Sequence, residues 1–588
     1  MQLFSTVTKR ILLALGYPRF MDIHTHRYTT NLLEDDDNKA AAIDTTSWYK
    51  VGAIKLRLPS LTPSSTSSSS NGRSPPQQEH QLPACQIFYP AAVANDEEKE
   101  EGKKTNKNKN KKTNTNTNKN HNNKFVPYFR KEAVTGMIDY LQGFGQGLLH
   151  YLHDTAHPCA RYYGADPLDP SPTQQSSSTK FPLVLFSHGL GGTLELYTEL
   201  CSLLASYGYI VVALEHEDGS AAYASSSTTH CRTNSPTGTT TRIPYQRPVP
   251  NAQQPYSRHK VLEMRTPMLD HRVQELERVY NYFRFENTTN SHNTGVGLPN
   301  YENANDDNTE TRRITTTTTT RNSTDNKDKK NTEDPAAHRR LLQKIQAVMD
   351  PQDVHLLGHS FGGATVLLAA QHWRNTTTTR QRIVPTSILV LDAWCFALPD
   401  AVLNRGITTV TTYGNTAATT ATTVSTNGSR SNHPTAATAP PRPVSTTKVI
   451  SILSEDWAFT NREREQTLQF LRNCGPCRSS QEKEEETPTT ENHVHSYYAQ
   501  NSVHQSFSDT ECYLPTFVSR KLHNRGPQEP RHTTIRACVH EFLKQQQVQP
   551  QQQTSSSSSS TSTITRNEED KNNDDDKEHT TRLIPFPP

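Results

Sequence analysis

The sequence has no apolar run long enough to cross a bilayer, and it is poor in hydrophobic residues overall. Only 32% of its 588 residues are hydrophobic, and a bilayer-spanning helix needs about 20 consecutive apolar residues. An apolar run near the N-terminus, residues 11–15, is shorter than the secretory signal core, which takes about 7–15 residues. We therefore expect no transmembrane segment and a cytoplasmic protein, with peripheral membrane association and secretion as alternatives.

The chain also lacks an excess of charge of either sign. Its formal net charge is +3, from 62 basic and 59 acidic residues, which argues against nucleic acid as a partner. The lysine-rich stretch at residues 103–124 has no aromatic side chain to stack on bases. We predict no cofactor and no metal site, because His24 and His26 have no evident further ligand downstream.

Low-complexity segments divide the sequence, and their composition cannot bury enough apolar surface to offset the entropy of ordering them. We predict an N-terminal extension at 1–48, one folded domain at 49–545 and a disordered C-terminal tail at 546–588. The inserts that interrupt the domain cover about residues 59–83, 96–124, 224–255, 286–334, 407–446 and 478–490.

Short apolar runs alternate with helical patterns through the remaining sequence. The runs are typical of strands covered on both faces, and they lie at residues 181–186, 209–214, 354–357, 388–391 and 449–453. Helical patterns cover residues 195–207, 268–283 and 364–373. This alternation predicts an α/β fold with a mainly parallel central sheet, flanked by helices, whose site lies at the carboxyl ends of its strands.

The clearest motif is Gly358-x-Ser360-x-Gly362, between a predicted strand and a predicted helix. In that context the serine lies on a sharp turn that exposes its hydroxyl, and the glycines allow neighbouring backbone to pass closely. The motif predicts an α/β-hydrolase domain with Ser360 as its nucleophile. We expect the backbone N–H groups of Phe361 and of Leu190, in the Gly-rich turn after the first long strand, to bind the oxyanion.

A serine nucleophile needs a base and a carboxylate that orients the base. Asp392 follows the strand at 388–391 directly and is the predicted carboxylate. Two downstream histidines are candidates for the base, His504 and His540. His540 lies in a helical pattern, whereas a catalytic histidine is expected on a loop, so His504 is favoured.

Together these motifs resemble one family, the platelet-activating-factor acetylhydrolases of the plasma and type II intracellular kind. The resemblance spans roughly residues 49–545 and is carried by segments 49–52, 87–90, 181–191, 213–221, 358–365, 391–394 and 503–509. The last segment, which resembles the family's histidine loop, selects His504 over His540. The resemblance implies a triad of Ser360, Asp392 and His504, and calcium-independent hydrolysis of a short sn-2 acyl group, typically acetyl, from a phospholipid.

Several alternatives stay open on the sequence alone. The long inserts at 286–334 and 407–446 depart from the family and put acyl preference in question, so a lipase or carboxylesterase of the same fold is one alternative. An inactive α/β-hydrolase that serves as a binding scaffold is another. Apolar residues recur at helical spacing between Met137 and Leu152, which indicates either insertion into a membrane or lipoprotein surface or packing on the core. The oligomeric state is left open.

Overall fold

The structure is a computed structural model of the whole chain. It describes residues 49–58, 82–92, 125–143, 145–170, 180–227, 240–247, 257–292, 335–375, 383–407, 447–459, 463–474, 494–510, 533–547 and 582–586. The predicted N-terminal extension, with His24 and His26, and most of the predicted inserts lie outside these residues.

A nine-stranded sheet forms the centre of the domain, in the order β1-β2-β4-β3-β7-β8-β9-β10-β11, and β5 and β6 form a separate ribbon. The strands are β1 (Val51–Arg57), β2 (Ala84–Pro90), β3 (Phe181–Ser187), β4 (Ile210–Leu214), β5 (Tyr223–Ser227), β6 (Thr240–Pro244), β7 (Met349–His359), β8 (Ser387–Leu391), β9 (Lys448–Ser454), β10 (Val494–Ala499) and β11 (Leu583–Pro585). The strands from β4 through β3, β7, β8 and β9 to β10 pair in parallel. β1, β2 and β11 pair antiparallel at the two edges.

Helices cover both faces of this sheet. They are α1 (Lys131–Tyr140), α2 (Gln146–His153), α3 (Thr198–Ser206), α4 (Arg258–His292), α5 (Pro335–Ala347), α6 (Phe361–Asn375), α7 (Asp400–Arg405), α8 (Glu455–Phe459), α9 (Arg464–Arg472) and α10 (Thr533–Gln547). In β3, Leu183 and Leu185 pack with α4 and α6 in one apolar cluster. Val184 and Phe186 pack with α1, α3 and α10 in another. Because successive strand residues point to opposite faces, continuous apolar strands are needed to fill both clusters.

The predicted α/β-hydrolase fold is confirmed. Each of the five apolar runs is a strand of the main sheet, and each of the three helical patterns overlaps a helix, namely α3, α4 and α6. No strand was predicted at β10, because its tyrosines and histidine do not form a continuous apolar run. It pairs with β9 along its whole length and extends the parallel sheet.

Three expectations about the inserts and the tail need correction. The segment at 224–255 contains most of the antiparallel ribbon of β5 and β6, whose polar strands have no strong sequence period. Helix α4 continues to His292, into the segment assigned to 286–334. Residues 583–585, assigned to a disordered tail, form β11 on the edge strand β10. A three-residue strand is too short for a sequence pattern, and only its partner strand reveals it.

The apolar stripe between Met137 and Leu152 forms two helices, α1 and α2, rather than one. Met137, Leu149 and Leu152 are buried in the cluster that also holds α3, which favours packing on the core for these residues. Phe144 of the same stripe lies outside the described residues. None of the helices in the described part of the chain is both long enough and apolar enough to cross a membrane.

Candidate active site

Ser360 lies at the turn between β7 and α6, at the carboxyl edge of the sheet. Its φ is 57°, in the left-handed region that costs a non-glycine residue conformational energy. Two glycines make the turn possible. A Cβ on Gly358 would lie 2.3 Å from the carbonyl oxygen of Gly362, and one on Gly362 would lie 2.0 Å from that of Ser187. The motif therefore has the geometry of a nucleophile elbow and packs against the end of β3.

The imidazole of His504 faces the Ser360 hydroxyl. His504 begins a short 3-10 turn, His504–Phe507, and its Nε2 is 3.0 Å from Ser360 Oγ. The indole of Trp457 stacks on the ring, with centroids 4.5 Å apart and planes 18° apart. The contact fixes the plane of the imidazole, and with the proton on Nδ1 its Nε2 can accept the Ser360 proton.

Asp392 completes the chain of hydrogen bonds. It follows β8 with a φ of 44° and is fully buried. Its Oδ2 is 3.0 Å from His504 Nδ1. The Ser454 N–H and hydroxyl donate to the carboxylate at 2.7 and 2.6 Å. Every strong interaction of the carboxylate is thus with a donor, which suits an ionised group that orients the histidine.

The two predicted oxyanion donors, Leu190 and Phe361, belong to segments that adjoin Ser360. A Cβ on Gly189 would lie 3.1 Å from Ser360 Cβ, so the turn that contains Leu190 lies against Ser360. Phe361 is the first residue of α6, where a backbone N–H has no acceptor within the helix. Among the described residues, no hydrogen-bond acceptor faces the N–H of Leu190 or that of Phe361. Both N–H groups are therefore free to bind a developing oxyanion.

A buried guanidinium contacts the turn that contains the predicted donor Leu190, which we call the oxyanion turn. Arg272, on α4, is fully buried and donates to the carbonyl oxygen of His188 at 2.6 Å. Its Nε donates to Asp218 at 2.9 Å, and it also bonds the Ser220 hydroxyl. The same guanidinium lies 4.7 Å from the ring centroid of Phe361. Arg272 thus contacts both of the segments that carry the predicted oxyanion donors.

A second Ser–His–acid chain lies beneath this turn. Ser187 Oγ is 2.8 Å from His216 Nε2, and His216 Nδ1 is 2.6 Å from Glu275 Oε2. Although burial opposes ionisation, hydrogen bonds from His216 and His271 hold the pKa of Glu275 well below its usual range. Ser187 and His216 are fully buried, so an ester cannot reach this hydroxyl. The arrangement stabilises the end of β3 instead of forming a second nucleophile.

His540, the other candidate base, lies away from the elbow. It is on α10, with its Nε2 3.3 Å from the hydroxyl of Tyr207. The structure therefore brings together Ser360, Asp392 and His504 and leaves His540 out. Sequence reasoning assigned no role to Arg272 or Ser454 and gave Trp457 no part in the triad. The motif segment at 213–221, which contains Asp218, was the one sequence signal that pointed toward the Arg272 cluster.

Asp392 and His504, together with the neighbouring His359, form the one candidate metal cluster in the described part of the chain. Ligand atoms of His359, Asp392 and His504 lie within 4.8 Å of one another. Both nitrogens of His504 face Asp392 and Ser360, and the His359 nitrogens face Tyr197 and the His504 carbonyl. Because these nitrogens already have hydrogen-bond partners, the cluster fits a proton relay better than a metal site.

Comparison with known proteins supports the resemblance that the motifs indicated. Residues 112–307 match the family model described as platelet-activating factor acetylhydrolase, isoform II. A Bos taurus platelet-activating factor acetylhydrolase is 55% identical over 42 residues, and a Schizosaccharomyces pombe protein provisionally named a phospholipase A2 is 52% identical over 42 residues. These alignments cover 7% of this chain and 10% of each relative. A solved ferulic acid esterase from Streptomyces cinnamoneus aligns over 85% of this chain and 90% of its own, with 12% identity and a TM-score of 0.38.

Proposed function

From the family match over residues 112–307 and the geometry of the elbow, we propose that this chain is a serine esterase that acts on platelet-activating-factor-like phospholipids. The observation that carries the proposal is the hydrogen-bonded chain from Asp392 through His504 to Ser360, with a distance of 3.0 Å at each side of the imidazole. Its position at the carboxyl edge of a mainly parallel sheet is the usual place for such a site.

The proposed reaction has two half-reactions. Ser360 Oγ attacks the ester carbonyl while His504 Nε2 takes the hydroxyl proton, and Asp392 stabilises the imidazolium that forms. The N–H groups of Leu190 and Phe361 bind the oxyanion. His504 then returns the proton to the leaving alcohol, and the acyl group stays on Ser360. Water, activated by the same histidine, releases the acid. In this scheme the two N–H groups bind the oxyanion, which agrees with the calcium-independent reaction that the family resemblance implies.

The proposed substrate is a phospholipid with a short sn-2 acyl group, typically acetyl. The family match and the name of the Bos taurus relative support this substrate class. A phospholipid at a membrane or lipoprotein surface would be its physical form. A cytoplasmic location stays a prediction.

The decisive experiment compares acyl chain lengths with a nucleophile control. We expect the purified protein to hydrolyse an acetyl phospholipid faster than a long-chain one in the presence of a calcium chelator. Ser360→Ala should lose activity by about 10⁶-fold while its circular dichroism spectrum is unchanged.

His504→Ala should be as damaging as the serine change, whereas His540→Ala should retain wild-type activity. The matched pair tests the base because both substitutions remove one imidazole. Faster hydrolysis of long-chain substrates would favour a lipase or carboxylesterase. Lack of activity on every ester would favour the inactive scaffold. Retained activity in Ser360→Ala would contradict the serine mechanism.

A further inference from the structure

A continuous chain of buried hydrogen bonds runs behind the site, from the oxyanion turn to the backbone of His504. The hydroxyl of Tyr197 accepts the N–H of Gly189 at 3.3 Å and is 2.8 Å from His359 Nδ1. The other ring nitrogen of His359, Nε2, is 3.0 Å from the carbonyl oxygen of His504. Tyr197 and His359 are 4% and 2% exposed, so water does not compete for these bonds.

The chemistry of the partners allows one arrangement of protons in this chain. The His504 carbonyl oxygen can only accept, so His359 must carry its proton on Nε2. His359 Nδ1 then accepts, and Tyr197 donates its hydroxyl proton to it. This leaves the Tyr197 oxygen free to accept the backbone N–H of Gly189. Burial lowers the pKa of His359 well below its usual value, so the ring stays neutral and keeps its proton on Nε2.

The hydrogen bond from His359 to the His504 carbonyl holds a part of the chain that lies outside the sheet. His504 lies in a 3-10 turn of four residues, so its main chain is not held by sheet pairing. His359 is the last residue of β7, next to Ser360 in the chain, and its ring centroid is 4.6 Å from that of His504. A hydrogen bond therefore joins the residue next to Ser360, at the end of the strand, to the backbone of His504 in the turn.

We propose that His359 is a positioning residue that holds the backbone of His504 at its working distance from Ser360, with Tyr197 selecting the required tautomer. The inference rests on the proposed serine esterase function. Through the N–H of Gly189, the same chain connects the oxyanion turn to the base. A 1 Å misplacement of a catalytic group can lower a rate by about 10²-fold, so the contact matters for turnover.

Two substitutions of His359 separate this role from simple packing. In His359→Gln the amide nitrogen can occupy the place of Nε2 and donate to the His504 carbonyl. In His359→Asn the shorter amide reaches the place of Nδ1, near Tyr197, but not the carbonyl. The same two changes at His355 are the control, because His355 is buried on the same strand and bonds Ser387 rather than the site.

The readouts are kcat and KM for a soluble acetyl ester, the labelling rate with a fluorophosphonate, and the melting temperature. We expect His359→Asn to lower kcat by about 10- to 100-fold, with KM within about 2-fold of wild type. His359→Gln should recover most of kcat, and labelling rates should follow the same order. The His355 variants should keep wild-type kcat whatever their melting temperatures.

Equal kcat in the Asn and Gln variants of His359, or a loss confined to KM, would overturn the proposal. If His359→Asn does not fold, Tyr197→Phe decides. It should lower kcat by about 3- to 10-fold, the effect of one neutral hydrogen bond, and an unchanged kcat would refute the positioning role. Ser360→Ala distinguishes the two proposals, since retained activity there contradicts the esterase mechanism itself.

Discussion

Replacement of Asp392 by asparagine tests the chain of hydrogen bonds with the least change in shape. The carboxylate accepts the Ser454 N–H at 2.7 Å on Oδ1, and His504 Nδ1 lies 3.0 Å from Oδ2. In the variant the amide oxygen must keep accepting the Ser454 N–H, because an amide nitrogen in its place would set two donors facing each other. The amide nitrogen then points at His504 Nδ1 and donates to it. The histidine must place its own proton on Nε2, facing Ser360, where it can no longer act as a base.

The expected magnitude follows from this tautomer change. A base held in the wrong tautomer lowers kcat by about 10⁴-fold in serine proteases, which corresponds to about 5.5 kcal/mol of transition-state stabilisation. The fold should lose little, since the Ser454 hydroxyl can rotate to accept from the new amide and each buried polar group keeps a partner. We therefore expect a loss of about 10⁴-fold in kcat and a free energy of unfolding within about 1 kcal/mol of wild type.

The assay is hydrolysis of a soluble acetyl ester alongside urea denaturation. Asp509→Asn is a matched control: Asp509 is also buried, and burial raises the pKa of its carboxyl well above the usual value, so asparagine resembles its neutral form. The control should keep kcat within about 3-fold of wild type. If Asp392→Asn folded normally and kept kcat within about 10-fold of wild type, Asp392 would not be the group that orients the base.

Three further predictions concern the structure around the site. Gly362→Ala should lower kcat by more than about 10²-fold, because the new Cβ would lie 2.0 Å from the carbonyl oxygen of Ser187. Gly147→Ala, with nothing within 4 Å of its new Cβ, should be silent in the same ester assay. Arg272→Leu should lower the free energy of unfolding in urea by about 3–5 kcal/mol, since its carboxylate partner stays buried without a cation; a loss below about 1 kcal/mol would contradict this reading. Because burial lowers the pKa of His359 well below 6.5, only the unfolded chain takes up its proton as the pH falls below 6.5. Between pH 6 and 5 the free energy of unfolding of the wild type should therefore fall by about 1.2 kcal/mol more than that of His359→Gln, and an equal fall in both proteins, measured by urea titration, would refute it.

Local sequence patterns were sufficient for the central strands and for the elbow. Continuous apolar runs can be buried only between two layers, and Gly358 and Gly362 permit the close backbone approach that the turn around Ser360 needs. The order of Ser360, Asp392 and a loop histidine, together with the motif segments, predicted which side chains would meet. Polar strands such as β6 and β10 were not predicted, because their formation depends on a partner strand and not on their own period.

The sequence by itself therefore determined the fold class and the residues that meet at the end of the sheet. The tertiary structure alone decided what supports them. Tyr197 meets His359 across 162 positions of the chain, and His359 meets the His504 carbonyl across 145. Arg272 reaches the His188 carbonyl across 84 positions. Such contacts leave no local pattern, since a buried hydrogen bond depends on which surfaces the folded chain brings together, and neither partner's neighbours in sequence encode it.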